Sequence, residues 1–213
     1  VEHKTYKPQI KGDSAAIREA VKLLKGAKKP IIYAGGGVIN SGPHASELLT
    51  KLVRASGAPC TLTLMGLGAY PASDKQFIGM LGMHGTYEAN LAMHDCDVMV
   101  AIGSRFDDRI TGGIDKFSPG SKKIHIDIDP SSVNKNVAVD LPIIGDVASV
   151  LTDMLEAWNA DKTDQDKRAI EDWWVEINKW RKKDCLKFGD SDKVIKPQYA
   201  IQRLWELTRD REE

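Results

Sequence analysis

Short apolar runs alternate with amphipathic helical segments between residues 13 and 157, and this alternation constrains the fold more than any other feature. The segment "DSAAIREAVKLLKG" repeats apolar residues at helical spacing after a cap at Asp13 or Ser14, and "PIIYA" then indicates a buried strand. Strands that alternate with helices join through right-handed crossovers into a mostly parallel sheet covered on both faces. The sequence therefore predicts an α/β fold, a Rossmann-like doubly wound parallel sheet followed by C-terminal helices.

The same patterns predict the remaining elements. A helix opens at Ser41 and Pro43, and "DVMVAIG" is a strand whose continuous apolar character is typical of burial on both faces. Further strands are expected at "APCTLTL", "KKIHIDID" and "LPIIGD", and further helices at "GTYEANLAMHDC" and, after an Asp146 cap, "VASVLTDMLEAW". We predict a first domain over residues 1–158, a charged linker with a Trp-rich helix over 159–196, and the start of an incomplete domain over 197–213. The tryptophan face of that helix is interpreted as a contact with a neighbouring domain.

Composition excludes several classes of function. Lys plus Arg and Asp plus Glu both number 30, so the chain lacks the basic surplus that nucleic acid or an anionic membrane calls for. No apolar run approaches the roughly 20 residues of a membrane helix. Cys60, Cys96 and Cys185 lack CxxC spacing, which favours small buried hydrophobes in a reducing cytoplasm over a disulfide or zinc site.

Glycines and charged residues cluster where predicted strands end. "AGGG" follows one strand, and "GSRFDDR" follows another, with Arg105 and Arg109 four residues apart. Ligands of open parallel sheets bind beyond the carboxyl ends of the strands, where glycines permit close backbone approach and guanidinium groups bind phosphate through paired hydrogen bonds. The charges therefore indicate a diphosphate site, with a solvated ion-pair turn as the alternative.

Two glycine- and methionine-rich loops, "TLMGLGAYP" and "MLGMHGTYE", could pack on a flat ligand or could be simple connections. Asp127 and Asp129 end a later strand, where an acidic residue commonly binds ribose, and Asp146 could do the same or only cap its helix. We find no catalytic triad and no metal-ligand spacing. The residues alone thus predict a dinucleotide site and leave NAD and FAD as alternatives.

"GSRFDDRITG", with "AGGG", "TLMGLGAYP", "MLGMHGTYEANLA", "HIDIDP" and "IIGD" in that order, closely resembles the large catalytic subunit of acetohydroxyacid synthase (acetolactate synthase). The likeness runs continuously over about residues 29–158, and "PQYAIQRLWELT" is similar to the start of the family's third domain. This family of thiamine-diphosphate enzymes condenses two pyruvates to acetolactate, or pyruvate with 2-oxobutyrate, in branched-chain amino acid biosynthesis. It uses thiamine diphosphate, Mg²⁺ and an FAD held by the central domain.

The resemblance implies a set of flavin-contacting residues but no catalytic residue and no metal ligand. The implied FAD contacts are Gly35, Gly36, Gly37, Thr63, Leu64, Met65, Leu81, Gly82, Met83, His84, Gly103, Ser104, Arg105, Asp107, Arg109, Asp127, Ile128, Asp146 and Val147. Met83 and Asp108 would also border the substrate channel of the assembled enzyme.

The resemblance further implies that the chain is the central segment of a larger enzyme. Residues 1–213 contain neither the family's activating glutamate nor its GDG…N motif for Mg²⁺ and thiamine diphosphate. We therefore expect this segment to be inactive alone, and the full enzyme to be a cytoplasmic homo-oligomer with a small regulatory subunit. The alternatives are the middle domain of another thiamine-diphosphate decarboxylase or oxidase, and a stand-alone nucleotide-binding module.

Overall fold

The computed structural model describes residues 7–209, and the chain divides into two compact units between Lys183 and Asp184. The first unit is built on a six-stranded sheet in the order β3-β2-β1-β4-β5-β6, and each strand pairs in parallel with its neighbours. The strands are β1 Pro30–Ala34, β2 Cys60–Leu62, β3 Phe77–Met80, β4 Val98–Ile102, β5 Lys122–Asp127 and β6 Leu141–Ile144. The predicted α/β, Rossmann-like fold class is thereby confirmed.

Helices cover both faces of this sheet and form two hydrophobic clusters with it. They are α1 Ser14–Gly26, α2 Gly36–Ser41, α3 Pro43–Ser56, α4 Tyr87–Asp95, α5 Asp108–Thr111, α6 Val147–Ala160 and α7 Lys167–Arg181. Alternate residues of the strands enter opposite clusters, so that Ile124 and Ile126 lie with α1, α3 and α6, whereas Met99 and Ala101 lie with α4 and α7. Burial on both sides explains the continuous apolar runs in β1 and β4.

Four elements, α2, α3, α5 and β3, differ from the sequence-based prediction. The helix expected to open at Ser41 and Pro43 begins at Pro43, because the separate helix α2 ends at Ser41 and Gly42 turns the chain with φ +102°. The short helix α5 and the edge strand β3 were not predicted. A four-residue strand that is incompletely buried, with Gly79 at φ +94°, carries too weak a pattern to be recognised.

Helix α7 belongs to the first unit. Trp173 is buried, and its indole Nε1 donates to the Pro30 carbonyl at the start of β1 (3.0 Å). Trp174 Nε1 donates to the Gly57 carbonyl at 2.8 Å, and the Arg181 guanidinium donates to a carbonyl of edge strand β3. The tryptophan face thus packs on the sheet of residues 1–158, and helix and sheet lie in one compact unit. The boundaries at 158/159 and 196/197 remain predictions.

The second unit contains helix α8, Pro197–Thr208, which begins with proline in its first turn, where the missing N–H costs nothing. Within residues 7–209, no helix is long and apolar enough to cross a membrane.

Candidate functional site

The carboxyl edge of the sheet is formed by the segments that directly follow the six strands. Every residue of the predicted site lies there, in the first turn of the next helix or, for Asp127, at the last position of its strand, because parallel strands all end at the same edge. Neighbouring strands are about 4.8 Å apart, so six of them give an edge roughly 24 Å long. The structure thus brings the predicted residues onto one surface.

The strand order reverses between β1 and β4, the position at which ligands of doubly wound sheets bind. The two loops touch there through backbone: Gly37 N donates to Gly103 O at 2.9 Å, and Gly35 N donates to Ile102 O at 2.9 Å. A Cβ built on Gly37 would lie 2.6 Å from Gly103 Cα, closer than side chains approach. Loop-to-loop packing therefore already requires these glycines, and their contact with a phosphate stays a prediction.

The charged loop after β4 presents its side chains to solvent. Arg105 approaches Asp107 at 3.6 Å and Arg109 approaches Asp108 at 3.9 Å, and both arginine side chains are more than 70% exposed (72% and 71%). These distances exceed those of hydrogen-bonded pairs, and exposed pairs of this kind contribute little stability. The arrangement leaves both guanidinium groups available to an anion, which a tight ion-pair turn would not.

Large apolar side chains are exposed along the same edge. Leu64, Met65 and Met83 are 68%, 75% and 66% exposed, although the interior strands β1, β2 and β4 are buried along their whole length. The loops that carry them are held from within: Thr63 caps its own turn by accepting from Gly66 N, and Met83 N donates to Arg109 O at 2.8 Å. Ordered loops that present apolar groups to water are typical of a ligand-binding surface.

The carboxylates at the far end of the edge differ in how fully they are engaged. Asp146 is the N-cap of α6, as predicted, and its oxygens accept from Ser41 Oγ and from the backbone N–H groups of Ala148 and Ser149. Asp127 is buried, and its Oδ1 accepts from Asp129 N at 2.9 Å. Since three donors already occupy Asp146, Asp127 is the better placed of the two for a ribose hydroxyl.

A buried histidine beneath the charged loop was not singled out by the sequence analysis. His125 is fully buried in β5, its Nε2 lies 2.9 Å from the Ser104 carbonyl, and the Phe106 ring packs edge-on against it. Burial lowers the pKa of His125 below its ordinary value, which favours the neutral ring. The available signal was a polar residue between the buried isoleucines of "IHID".

The cysteines follow the prediction at two positions. Cys60 and Cys96 are buried and form no disulfide, and burial raises the pKa of the Cys96 thiol to about 11. Cys185 is exposed, so the expectation of a buried hydrophobe is wrong there.

The edge offers a group for each part of a flavin dinucleotide. Guanidinium groups suit the diphosphate, exposed leucine and methionine side chains suit the flat ring, and the Asp127 carboxylate suits a ribose. Over residues 7–209, no three His, Cys, Asp or Glu side chains are grouped as metal ligands.

Comparison with known proteins identifies relatives of this chain. The family model described as thiamine pyrophosphate enzyme, central domain, matches residues 17–154. Acetolactate synthase isozyme 3 large subunit of Escherichia coli (strain K12) is 46% identical over 209 residues, which cover 98% of this chain and 36% of that protein. The acetolactate synthase large subunit of Haemophilus influenzae is 47% identical over the same shares of the two chains, and acetolactate synthase of Mycobacterium avium is 42% identical over 95% of this chain and 32% of its own. The chain therefore spans about a third of the length of these relatives.

Proposed function

Because the chain belongs to the thiamine pyrophosphate enzyme family, as its central domain, we propose that it is the FAD-binding middle segment of an acetolactate synthase large subunit. The relatives that cover nearly its whole length carry that name. In this proposal the parent enzyme uses thiamine diphosphate and Mg²⁺ to condense two pyruvates, or pyruvate with 2-oxobutyrate, for branched-chain amino acid biosynthesis.

One observation supports flavin binding by this segment. Exposed guanidinium groups and exposed apolar side chains lie together at the edge where the strand order reverses. With its ribose at Asp127 after β5, a plain adenine nucleotide would place its one flat ring three strands away from Leu64 and Met65 after β2. FAD has a second flat ring, the isoalloxazine, at its other end, and this ring would cover Leu64, Met65 and Met83. The composition of the surface therefore favours a flavin over a plain nucleotide.

Each part of the edge has a task in the proposed complex. Arg105 and Arg109 hold the diphosphate, Leu64, Met65 and Met83 pack on the flavin ring, and Asp127 binds the ribose at the adenosine end. The resemblance implies that the flavin is not a redox carrier in the main reaction, so the segment contributes binding and positioning. Met83 and Asp108, both exposed, would also border the substrate channel.

Flavin titration of the purified chain tests the proposal. Micromolar or tighter FAD binding, with the flavin absorbance bands shifted on binding, is the expected result, and NAD titrated in parallel should bind more weakly. Arg105→Ala should raise the Kd for FAD about 10- to 100-fold, the loss of one charge-assisted contact, without changing the Tm of the flavin-free protein. The control is Arg168→Ala, which removes an exposed arginine of α7 outside the edge and should leave the Kd unchanged. A preference for NAD, or an equal effect of both variants, would contradict the proposal.

The activity of the parent enzyme requires parts beyond this segment in our proposal. The isolated chain should form no acetolactate from pyruvate when supplied with FAD, thiamine diphosphate and Mg²⁺. Measurable turnover would refute that expectation. The homo-oligomer of catalytic subunits, the small regulatory subunit and the cytoplasmic location belong to the same proposal, the last supported by two buried cysteines without disulfides.

A further inference from the structure

Two backbone carbonyls flank Arg105 in the loop after β4, and a side chain donates to each. His125 Nε2 donates to Ser104 O at 2.9 Å, and Asn136 Nδ2 donates to Phe106 O at 2.8 Å. Both donors come from β5 and the segment that follows it. The residue proposed to hold the diphosphate thus lies between two anchored peptide groups.

The direction of the Arg105 side chain is set by this backbone more than by partners of its guanidinium group. That group is 72% exposed and approaches Asp107 only at 3.6 Å, too far for a hydrogen bond. The next residue, Phe106, is buried with its ring 5.1 Å from the His125 ring and 6.2 Å from the Tyr33 ring. With Phe106 directed into the core, Arg105 projects to the surface.

Packing alone does not explain a histidine in this position. A carbonyl can only accept, so the neutral His125 ring carries its proton on Nε2 and leaves a lone pair on Nδ1. Among residues 7–209 this buried Nδ1 has no hydrogen-bond partner. An unsatisfied buried polar atom destabilises the fold, whereas a leucine would fill the same space without that penalty. The hydrogen bond from His125 Nε2 to the Ser104 carbonyl of the loop offsets the cost of the unsatisfied Nδ1.

We propose that His125, assisted by Asn136, is a positioning residue that orients Arg105 toward the diphosphate of the bound nucleotide. This inference rests on the FAD binding proposed above. His125 does not touch the cofactor in this arrangement, because it is fully buried beneath the loop. Its Nε2 bonds the Ser104 carbonyl and lies 3.7 Å from Asp127 Oδ2, too far for a second hydrogen bond.

A double-mutant cycle between His125→Leu and Arg105→Ala tests the inference. His125→Leu should raise the Kd for FAD about tenfold by releasing the Ser104 carbonyl. In the Arg105→Ala background the same change should have little further effect, because no guanidinium remains to be oriented. Additive effects would mean that His125 acts on binding by some other route, and would overturn the inference.

Two variants separate the hydrogen bond from general disturbance of the core. His125→Gln keeps an N–H donor and should restore most of the affinity lost in His125→Leu. Tyr33→Phe is the matched control: it changes the same buried ring cluster by removing a hydroxyl that has no partner in the described chain. The Kd should stay within about twofold of wild type in Tyr33→Phe. Should His125→Leu fail to fold, Asn136→Ala replaces it in the cycle with the same expectation.

Amide hydrogen exchange without flavin makes this test independent of the proposed function. Peptides that cover residues 103–112 should exchange faster in His125→Leu than in wild type, and Tyr33→Phe should match wild type. If wild type binds no FAD, the proposed function fails, and the exchange data still decide whether His125 anchors the loop. Unchanged exchange in His125→Leu would overturn the inference whatever the flavin result.

Discussion

Replacing Gly103 with alanine should destabilise the protein through two separable effects. The residue has φ +55°, a conformation that alanine adopts at a penalty, and its new Cβ would lie 2.7 Å from Gly37 Cα in the neighbouring loop. Backbone strain of this kind costs about 1–3 kcal/mol and forced repacking about 1–3 kcal/mol, so Gly103→Ala should lower the free energy of unfolding by about 2–6 kcal/mol. That is a large share of the roughly 5–15 kcal/mol typical of a domain.

Two nearby glycines serve as references, one for backbone strain without a close contact and one for neither effect. Gly112 also has positive φ (+56°), but a Cβ there would meet nothing within 4 Å, so Gly112→Ala should show the strain alone. Gly113 has φ −71° and open space around it, so Gly113→Ala should be nearly neutral. Urea unfolding followed by tryptophan fluorescence measures the change in the free energy of unfolding for each of the three variants. If Gly103→Ala lowers the free energy of unfolding by less than about 2 kcal/mol, strain and the close contact of the loops after β1 and β4 do not both constrain the fold as described.

Three further predictions concern stability. Trp173→Phe removes the donor to the buried Pro30 carbonyl and should lower the free energy of unfolding by about 1–3 kcal/mol in urea; no loss would refute the importance of that bond. Burial holds the pKa of His125 below its ordinary 6.5, so its contribution to stability is complete above pH 6.5 and is lost as the pH falls below that value. His125→Gln should remove this part of the pH dependence of the free energy of unfolding. The same pH dependence in His125→Gln and wild type would contradict the prediction. Arg181→Met removes the donor to the Phe77 carbonyl and should accelerate amide exchange in β3 more than in β4. An equal change in the exchange rates of the two strands would show that α7 does not stabilise the edge strand.

Local patterns predicted most of the helices and the interior strands. Ile17, Ala20, Val21 and Leu24 recur at helical spacing in the sequence, and all four are buried in α1. Strand β4 is long, apolar and buried along its whole length, so its pattern is unambiguous. Strand β3 lies at the edge of the sheet, where incomplete burial and a glycine remove the signal that burial imposes on a sequence.

The site was predictable in outline because chain direction alone determines where parallel strands end. Glycines, arginines and acids that follow strands had to meet at one edge, and they do. What each of them contacts was not predictable. Asp146 is engaged by Ser41, 105 residues earlier in the chain, and Gly37 packs on the Gly103 backbone. Such contacts depend on strand order, which periodicity does not encode.

The sequence by itself determined the fold class, the helix caps and the edge at which the charged residues gather, because each follows from periodicity and chain direction. Only the tertiary structure placed β1 beside β4, set His125 and Asn136 under the carbonyls on either side of Arg105, and packed α7 on its own sheet. The physical reason is one of range. Helix caps and hydrophobic periodicity are properties of neighbouring residues, whereas the environment of Arg105 depends on segments that become neighbours only when the sheet has formed.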